Sequence, residues 1–140
     1  MKISAKTEYA CIAMIELAAA FGTGEPVRIR KIAERHNVPP RFLVQILLQL
    51  KGAGFVSSTR GAAGGYNLIV PPEDITLGKV MDVIDGQLST QQWSSNASEN
   101  SPAVQSLMVQ WKTAEQRKRD ILDGVTFADL LAQAKKNDKQ

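Results

Sequence analysis

Thiol and imidazole groups are almost missing from this chain: among its 140 residues there is one cysteine, Cys11, and one histidine, His36. A lone cysteine excludes a disulfide framework within the chain and makes a reducing interior its natural home. Catalysis needs a nucleophile with its base, or paired carboxylates in a cleft. Here the acids are scattered mainly over helix surfaces, so no catalytic set emerges and no enzyme is expected. His36 closes a helix, where it is expected to help satisfy the last carbonyls, and no metal site is expected. Also absent is any run near the roughly 18 apolar residues of a membrane span. The N-terminal residues enter a polar, charged helix start instead of an apolar secretion segment. A cytoplasmic protein with no membrane partner is therefore expected. No internal repeat is visible.

What is present is an ordinary globular composition, 44% hydrophobic, at a length suited to one domain or one domain plus an appendage. The net charge of +3 hides an asymmetry. Residues 1–72 hold nine Lys/Arg against four Asp/Glu, a net +5, and residues 73–140 hold eight against ten, a net −2. A basic half is the electrostatic footprint expected of a phosphate-binding face, although a charge excess alone also describes a solvated surface.

Residues 27–70 read as two short helices, a tight turn and a β-hairpin, the layout of a winged helix-turn-helix. The first helix turns Ile29, Ile32 and Ala33 inward and Arg28, Arg30, Lys31 and Arg35 outward. Asn37 suits the left-handed conformation that ends such a helix. The second helix is expected to begin at Pro39-Pro40-Arg41, with Pro39 in a first turn whose backbone N–H groups lack helical partners anyway. It places Leu43, Ile46, Leu47 and Leu50 on one face at the i, i+3, i+4, i+7 spacing of a buried stripe and leaves Arg41, Gln45 and Leu48 outward. A guanidinium and an amide there suit base edges in a major groove, because each can make two hydrogen bonds at once. Residues 55–60 and 66–70 read as two strands. Between them, Gly61-Ala62-Ala63-Gly64-Gly65 has little side chain to pack and is expected to be a flexible tip. A nucleotide phosphate cradle would need a helix directly after the glycines, and a strand-like run follows instead. Arg60, on the wing strand, is then directed at DNA, where a narrow minor groove attracts arginine.

Outside this stretch, Ser4 is an N-cap for a core helix in which Tyr9, Ile12, Ala13, Glu16, Leu17 and Ala20 recur up to Phe21. Cys11 on its apolar part reads as a buried structural cysteine. Ile75-Thr76 announces a further helix, Thr76 as its cap and Val80 closing a hydrophobic staple. Residues 87–102 are mostly Gln, Ser, Thr and Asn, with Glu99 and Trp93 as exceptions, too polar to pack alone; Trp93 is expected to dock on the helices or on a partner chain. A long helix from Pro102 carries Val104, Leu107, Met108 and Trp111 as a stripe larger than a three-helix winged domain can cover, so pairing with a second copy is expected. Thr126 caps a last helix with Phe127, Leu130, Leu131 and Ala134 on one face. The expected fold is mainly α with a small β-hairpin wing. Residues 1–85 form the winged helix-turn-helix DNA-binding domain, 86–101 a flexible loop, and 102–140 a dimerisation helix and a C-terminal helix.

These residues resemble the Rrf2 family of bacterial winged-helix transcriptional regulators over nearly the whole chain. The resemblance rests on Lys6-Thr7-Glu8-Tyr9-Ala10 with Ala13-Met14, on Leu43 with Gln45, and on Gly54-Phe55-Val56-Ser57-Ser58 running into Arg60-Gly61 and Gly64-Gly65-Tyr66. It continues through Thr76-Leu77-Gly78 and Val80 to Thr126-Phe127-Ala128-Asp129-Leu130. It implies a homodimeric repressor on a near-palindromic operator in double-stranded DNA, with Val104, Leu107, Met108 and Trp111 in the dimer contact. DNA contacts are implied for Lys6, for Pro39, Arg41, Phe42 and Gln45 at the recognition helix, and for Arg60 and Gly61 in the wing.

Two departures from the family matter. Cluster-binding members hold an iron–sulfur centre with three cysteines in the loop corresponding to residues 87–105, which here has none. Glu8 matches an acidic position that helps hold the cluster in some nitric-oxide sensors, but one carboxylate does not replace three thiolates. A member without a cofactor is expected, as in the cysteine-metabolism branch; a small-molecule or protein effector is left open. Relatives also begin the recognition helix with small hydroxyl residues and can carry an acidic reader where this chain has Val44, so the iron–sulfur regulator's operator should not be shared. The alternative is a winged-helix adaptor that binds another protein. The basic half argues against it, and Pro39-Pro40 with the outward Leu48 argue for it.

Overall fold

The protein is described by a computed structural model over residues 3–86 and 101–138. Helix α1 (Ala5–Ala19) starts where expected, with the Ser4 hydroxyl accepting a hydrogen bond from the Thr7 N–H at 3.1 Å. It stops two residues before Phe21, whose N–H turns back to the Ala18 carbonyl at 3.2 Å and tightens the last turn. Helix α2 (Ile29–His36) ends at Asn37 with φ 54° and ψ 45°, the left-handed cap its sequence suggests. Helix α3 (Pro40–Gly52) begins one residue later than the sequence suggested. Pro39 is its extended N-cap, with ψ 126°, and Pro40 is the first helical residue. The ring of Pro40 pushes its predecessor out of the helical region, which sets that boundary.

The wing is an antiparallel pair, β1 (Val56–Thr59) with β2 (Gly65–Leu68), in the register Val56 opposite Leu68 and Thr59 opposite Gly65. Both strands are shorter than expected, and Arg60 lies in the exposed turn beyond β1 instead of on the strand. Its glycines also do more than loosen a tip. A Cβ on Gly64 would stand 2.2 Å from the Thr59 carbonyl oxygen, and one on Gly65 would stand 2.5 Å from that of Val27. The second contact exists because Val27, just before α2, bridges to Tyr66 by two backbone hydrogen bonds of 2.8 Å. The entrance to the helix-turn-helix and the wing are thus tied together.

Helices α4 (Leu77–Asp85), α5 (Pro102–Gly124) and α6 (Phe127–Asp138) complete the chain. Thr76 caps α4 by accepting from the Lys79 N–H at 3.2 Å, with Ile75 and Val80 both fully buried on either side of the cap. Thr126 and Asp129 form a reciprocal box at the start of α6, at 2.9 and 3.0 Å. One core gathers Met14 and Leu17 of α1, Ile32 of α2, the buried stripe of α3, Val56 and Leu68 of the wing, Val80 and Ile84 of α4, and Phe127 of α6. The last helix therefore packs into the same core as the winged helix-turn-helix. It is registered there by the Leu77 N–H on the Val125 carbonyl and the Phe127 N–H on the Ile75 carbonyl, both 3.0 Å.

Helix α5 differs from the rest, for none of its 23 residues is buried. Arg119 ties it to α4 by a two-pronged contact to Asp82, at 2.5 Å for each prong, and to its own Asp123 at 2.8 Å. Gly78 of α4 sits against this clip, because a Cβ there would stand 2.0 Å from Asp123 Oδ1. The expected loop over residues 86–101, with Trp93 and Glu99, lies outside the described residues apart from Gly86 and Ser101. Among the described residues no helix is long and apolar enough to cross a membrane.

Candidate nucleic-acid interface

Helix α3 has two chemically opposite faces. Leu43, Ile46, Leu47 and Leu50 have no solvent exposure, and they fix the helix against the core. Arg41, Val44, Gln45 and Leu48 repeat at the same spacing on the other side, and all four are exposed. The helix start is held by Phe42, half-buried, whose ring centroid lies 5.7 Å from that of Tyr9 on α1. The Arg41 guanidinium stands over the same ring at 5.3 Å. Phe42 therefore anchors Arg41 at the edge of α3, a contact between two candidates that the helical spacing alone does not show. Pro39 is half-buried at the cap, and Lys6 is half-buried in the first turn of α1.

The wing is fastened to the end of α3 by the Lys51 ammonium on the Ser58 hydroxyl at 2.9 Å and by the Phe55 N–H on the Leu50 carbonyl at 3.0 Å. Arg60 and Gly61 are exposed at its turn. A second basic surface, left out of the contact candidates read from the sequence, lies on α2. Arg28, Arg30, Lys31 and Arg35 line a shallow depression with Glu34. Arg30 pairs with Glu34 at 2.9 Å and Arg35 approaches Glu16 at 3.4 Å. Among the described residues, Arg28, Lys31, Arg41 and Arg60 form no ion pair, so their charge is available to external anions. The outward spacing of these α2 cations was the available signal.

His36 does not serve the helix carbonyls as expected from its position. Its Nε2 lies 2.8 Å from Oε1 of Glu16, a buried carboxylate on α1, which binds the end of α2 to the core. Glu16 in an otherwise apolar stripe was the hint that a partner would come to it, because a buried carboxylate needs one. Cys11 is half-buried on α1, and its thiol is pushed up to about 11, mainly by burial and further by the negative charge of Asp85. Asp85 in turn accepts hydrogen bonds from the Ser4 hydroxyl, at 3.3 Å, and from that of Thr7, joining the start of α1 to the end of α4.

The family described as Rrf2, iron-dependent transcriptional regulator, matches residues 3–133. The chain is 36% identical to the HTH-type transcriptional regulator CymR of Bacillus subtilis over 132 residues, covering 94% of this chain and 91% of that protein. Its fold is similar to the solved structure of CymR, the global cysteine regulator of B. subtilis, with a TM-score of 0.78 at 34% identity, covering 95% and 98% of the two chains. The structure of T. potens IscR is similar with a TM-score of 0.76 at 33% identity, covering 96% of this chain and 88% of that one. The iron in the family description does not fit the donor set present here. Iron–sulfur clusters are held by several thiolates, and this chain has Cys11 alone, in surroundings that disfavour its thiolate. Among the described residues no group of three or more His, Cys, Asp or Glu is arranged to hold a metal ion.

Proposed function

The chain belongs to the Rrf2 family of DNA-binding transcriptional regulators and is not an enzyme; on that premise we propose that it acts as a homodimeric repressor on a near-palindromic operator, without an iron–sulfur cluster. The observation that carries this reading is the division of α3 into a fully buried face and an exposed face bearing Arg41 and Gln45. A rigid helix with free base-reading groups is what major-groove recognition requires. Arg60 and Gly61 on the wing, Pro39 and Phe42 at the start of α3 and Lys6 in the first turn of α1 supply the flanking contacts, Arg60 in the minor groove. Arg28 and Lys31 add phosphate contacts from α2, since the first helix of such a unit crosses the backbone. A regulator works where the DNA is, so the cytoplasm is its proposed location.

The homodimer is supported by α5. Leu107 and Trp111 are exposed and Val104 and Met108 half-buried along one face of the helix. Pairing two such helices about a two-fold axis removes this surface from water and presents α3 twice, which makes the operator palindromic. The adaptor reading keeps one observation in its favour, the exposed Val44 and Leu48 on α3. Titration of random duplex DNA across a salt series separates the two. A DNA-binding protein loses affinity linearly on a log–log plot as counterions are reclaimed. Absence of salt-dependent binding would leave the adaptor reading standing.

A further inference from the structure

The exposed stripe of α3 alternates in character. Between and beyond the polar Arg41 and Gln45 stand two aliphatic side chains, Val44 at 44% and Leu48 at 56% exposure. Large apolar groups projecting from a helix whose other face fills the core have no packing role within the chain. We propose that Val44 and Leu48 are specificity-determining residues that pack on the C5-methyl groups of thymines in the operator. The inference deepens the DNA-binding reading and rests on it. Thymine is the one base that presents an apolar group in the major groove, and aliphatic contact is how a protein reads it.

Geometry supports both residues as a pair. Positions 41, 44, 45 and 48 follow the i, i+3, i+4, i+7 spacing by which a homeodomain's groove-lying helix reaches its bases. Val44 and Leu48 are four residues apart, about 6 Å along the helix axis, and consecutive base pairs rise about 3.4 Å along the duplex axis. Their thymines therefore fall roughly two base pairs from one another in each half-site, interleaved with the positions read by Arg41 and Gln45. A protein partner is the rival occupant of this apolar face. Arg41 on the stripe itself, and the exposed Arg28 and Lys31 of the preceding helix-turn-helix element, all without an ion-pair partner among the described residues, favour the polyanion.

The experiment starts with in vitro selection of duplex DNA on the full-length protein. Each thymine of the recovered site is then replaced by deoxyuridine, which keeps every hydrogen-bonding group and removes only the methyl. Two positions per half-site, about two base pairs apart, should each lose about fourfold in affinity, the value of one buried methyl. Val44→Ala should abolish the deoxyuridine penalty at one of these positions and Leu48→Ala at the other. Both side chains are exposed, so neither variant should unfold, and circular dichroism melting checks this. Deoxyuridine tolerated at every position, or penalties that persist unchanged in both variants, overturns the proposal while leaving DNA recognition intact. Selection that enriches no sequence overturns the DNA-binding reading itself, and this proposal falls with it.

Discussion

Gly65→Ala is expected to weaken the protein through a contact that no rotamer can relieve. The added Cβ would stand 2.5 Å from the Val27 carbonyl oxygen, 2.7 Å from its carbon and 3.1 Å from the Arg28 nitrogen, all of them backbone atoms. An ordinary contact of about 3.5–4 Å requires the two segments to part by about 1 Å. The Val27 N–H on the Tyr66 carbonyl and the Tyr66 N–H on the Val27 carbonyl, both now 2.8 Å, would then be stretched beyond hydrogen-bonding distance. Two such bonds contribute about 0.5–1.5 kcal/mol each. Gly65 holds φ 157°, a conformation that side-chain-bearing residues rarely adopt, so backbone strain offsets the gain that a compatible glycine replacement would give. The net expectation is a loss of about 1–3 kcal/mol, read as a fall of about 0.5–1.5 M in the urea midpoint at unchanged slope. Protein concentration must be held fixed, because the proposed dimerisation would contribute to apparent stability. An unchanged or raised midpoint would refute the claim that Gly65 is needed for the approach of Val27.

Further outcomes are expected. Leu107→Asp should convert a dimeric scattering mass toward that of a monomer, since it sets a charge on the exposed apolar side of α5; a wild-type protein that is monomeric at micromolar concentration would remove the dimer. Arg60→Ala should weaken operator binding and flatten any preference for A·T-rich flanks, whereas Gln45→Ala should lower the ratio of specific to non-specific affinity with the salt slope nearly unchanged, because a neutral amide releases no counterions. Cys11, with its thiol raised from 9.0 to about 11, should alkylate far more slowly in the folded than in the urea-unfolded protein at pH 8. Its folded pKa lies above the unfolded one, so its contribution to stability is intact below about pH 9 and is lost as pH rises toward 11; equal alkylation rates would contradict the burial. Protein purified without oxygen should be colourless, and a visible charge-transfer band with stoichiometric iron and sulfide would overturn the cluster-free reading.

The elements that could be read from the sequence are those whose causes are local. Ser4, Thr76 and Thr126 cap their helices through bonds to residues three positions on, and the stripe of Leu43, Ile46, Leu47 and Leu50 is set by helical period alone. The cap at Pro39 was also a local matter, settled by the proline that follows it. What could not be read depends on segments meeting across the chain. His36 meets Glu16 from 20 residues away, and Arg119 meets Asp82 from 37 away. The crowding at Gly65 arises because Val27 lies beside it. Phe127 is set in the core where its N–H bonds the Ile75 carbonyl and the Leu77 N–H bonds the Val125 carbonyl, a pairing no periodicity encodes. For the residues proposed to face DNA, spacing alone shows that Arg41 and Gln45 point outward together. It does not show that Phe42 braces Arg41 against Tyr9, because that contact needs α1 alongside α3.

The central claim is that two copies of α3 read one operator. Footprinting of the purified protein on a selected or genomic DNA fragment tests it most directly. Two protected major-groove tracts of related, inverted sequence, with centres about one helical turn or 10–10.5 base pairs apart or a multiple of it, are expected, flanked by minor-groove protection that Arg60→Ala removes. Protection of no sequence at concentrations that saturate the salt-dependent binding would contradict the account.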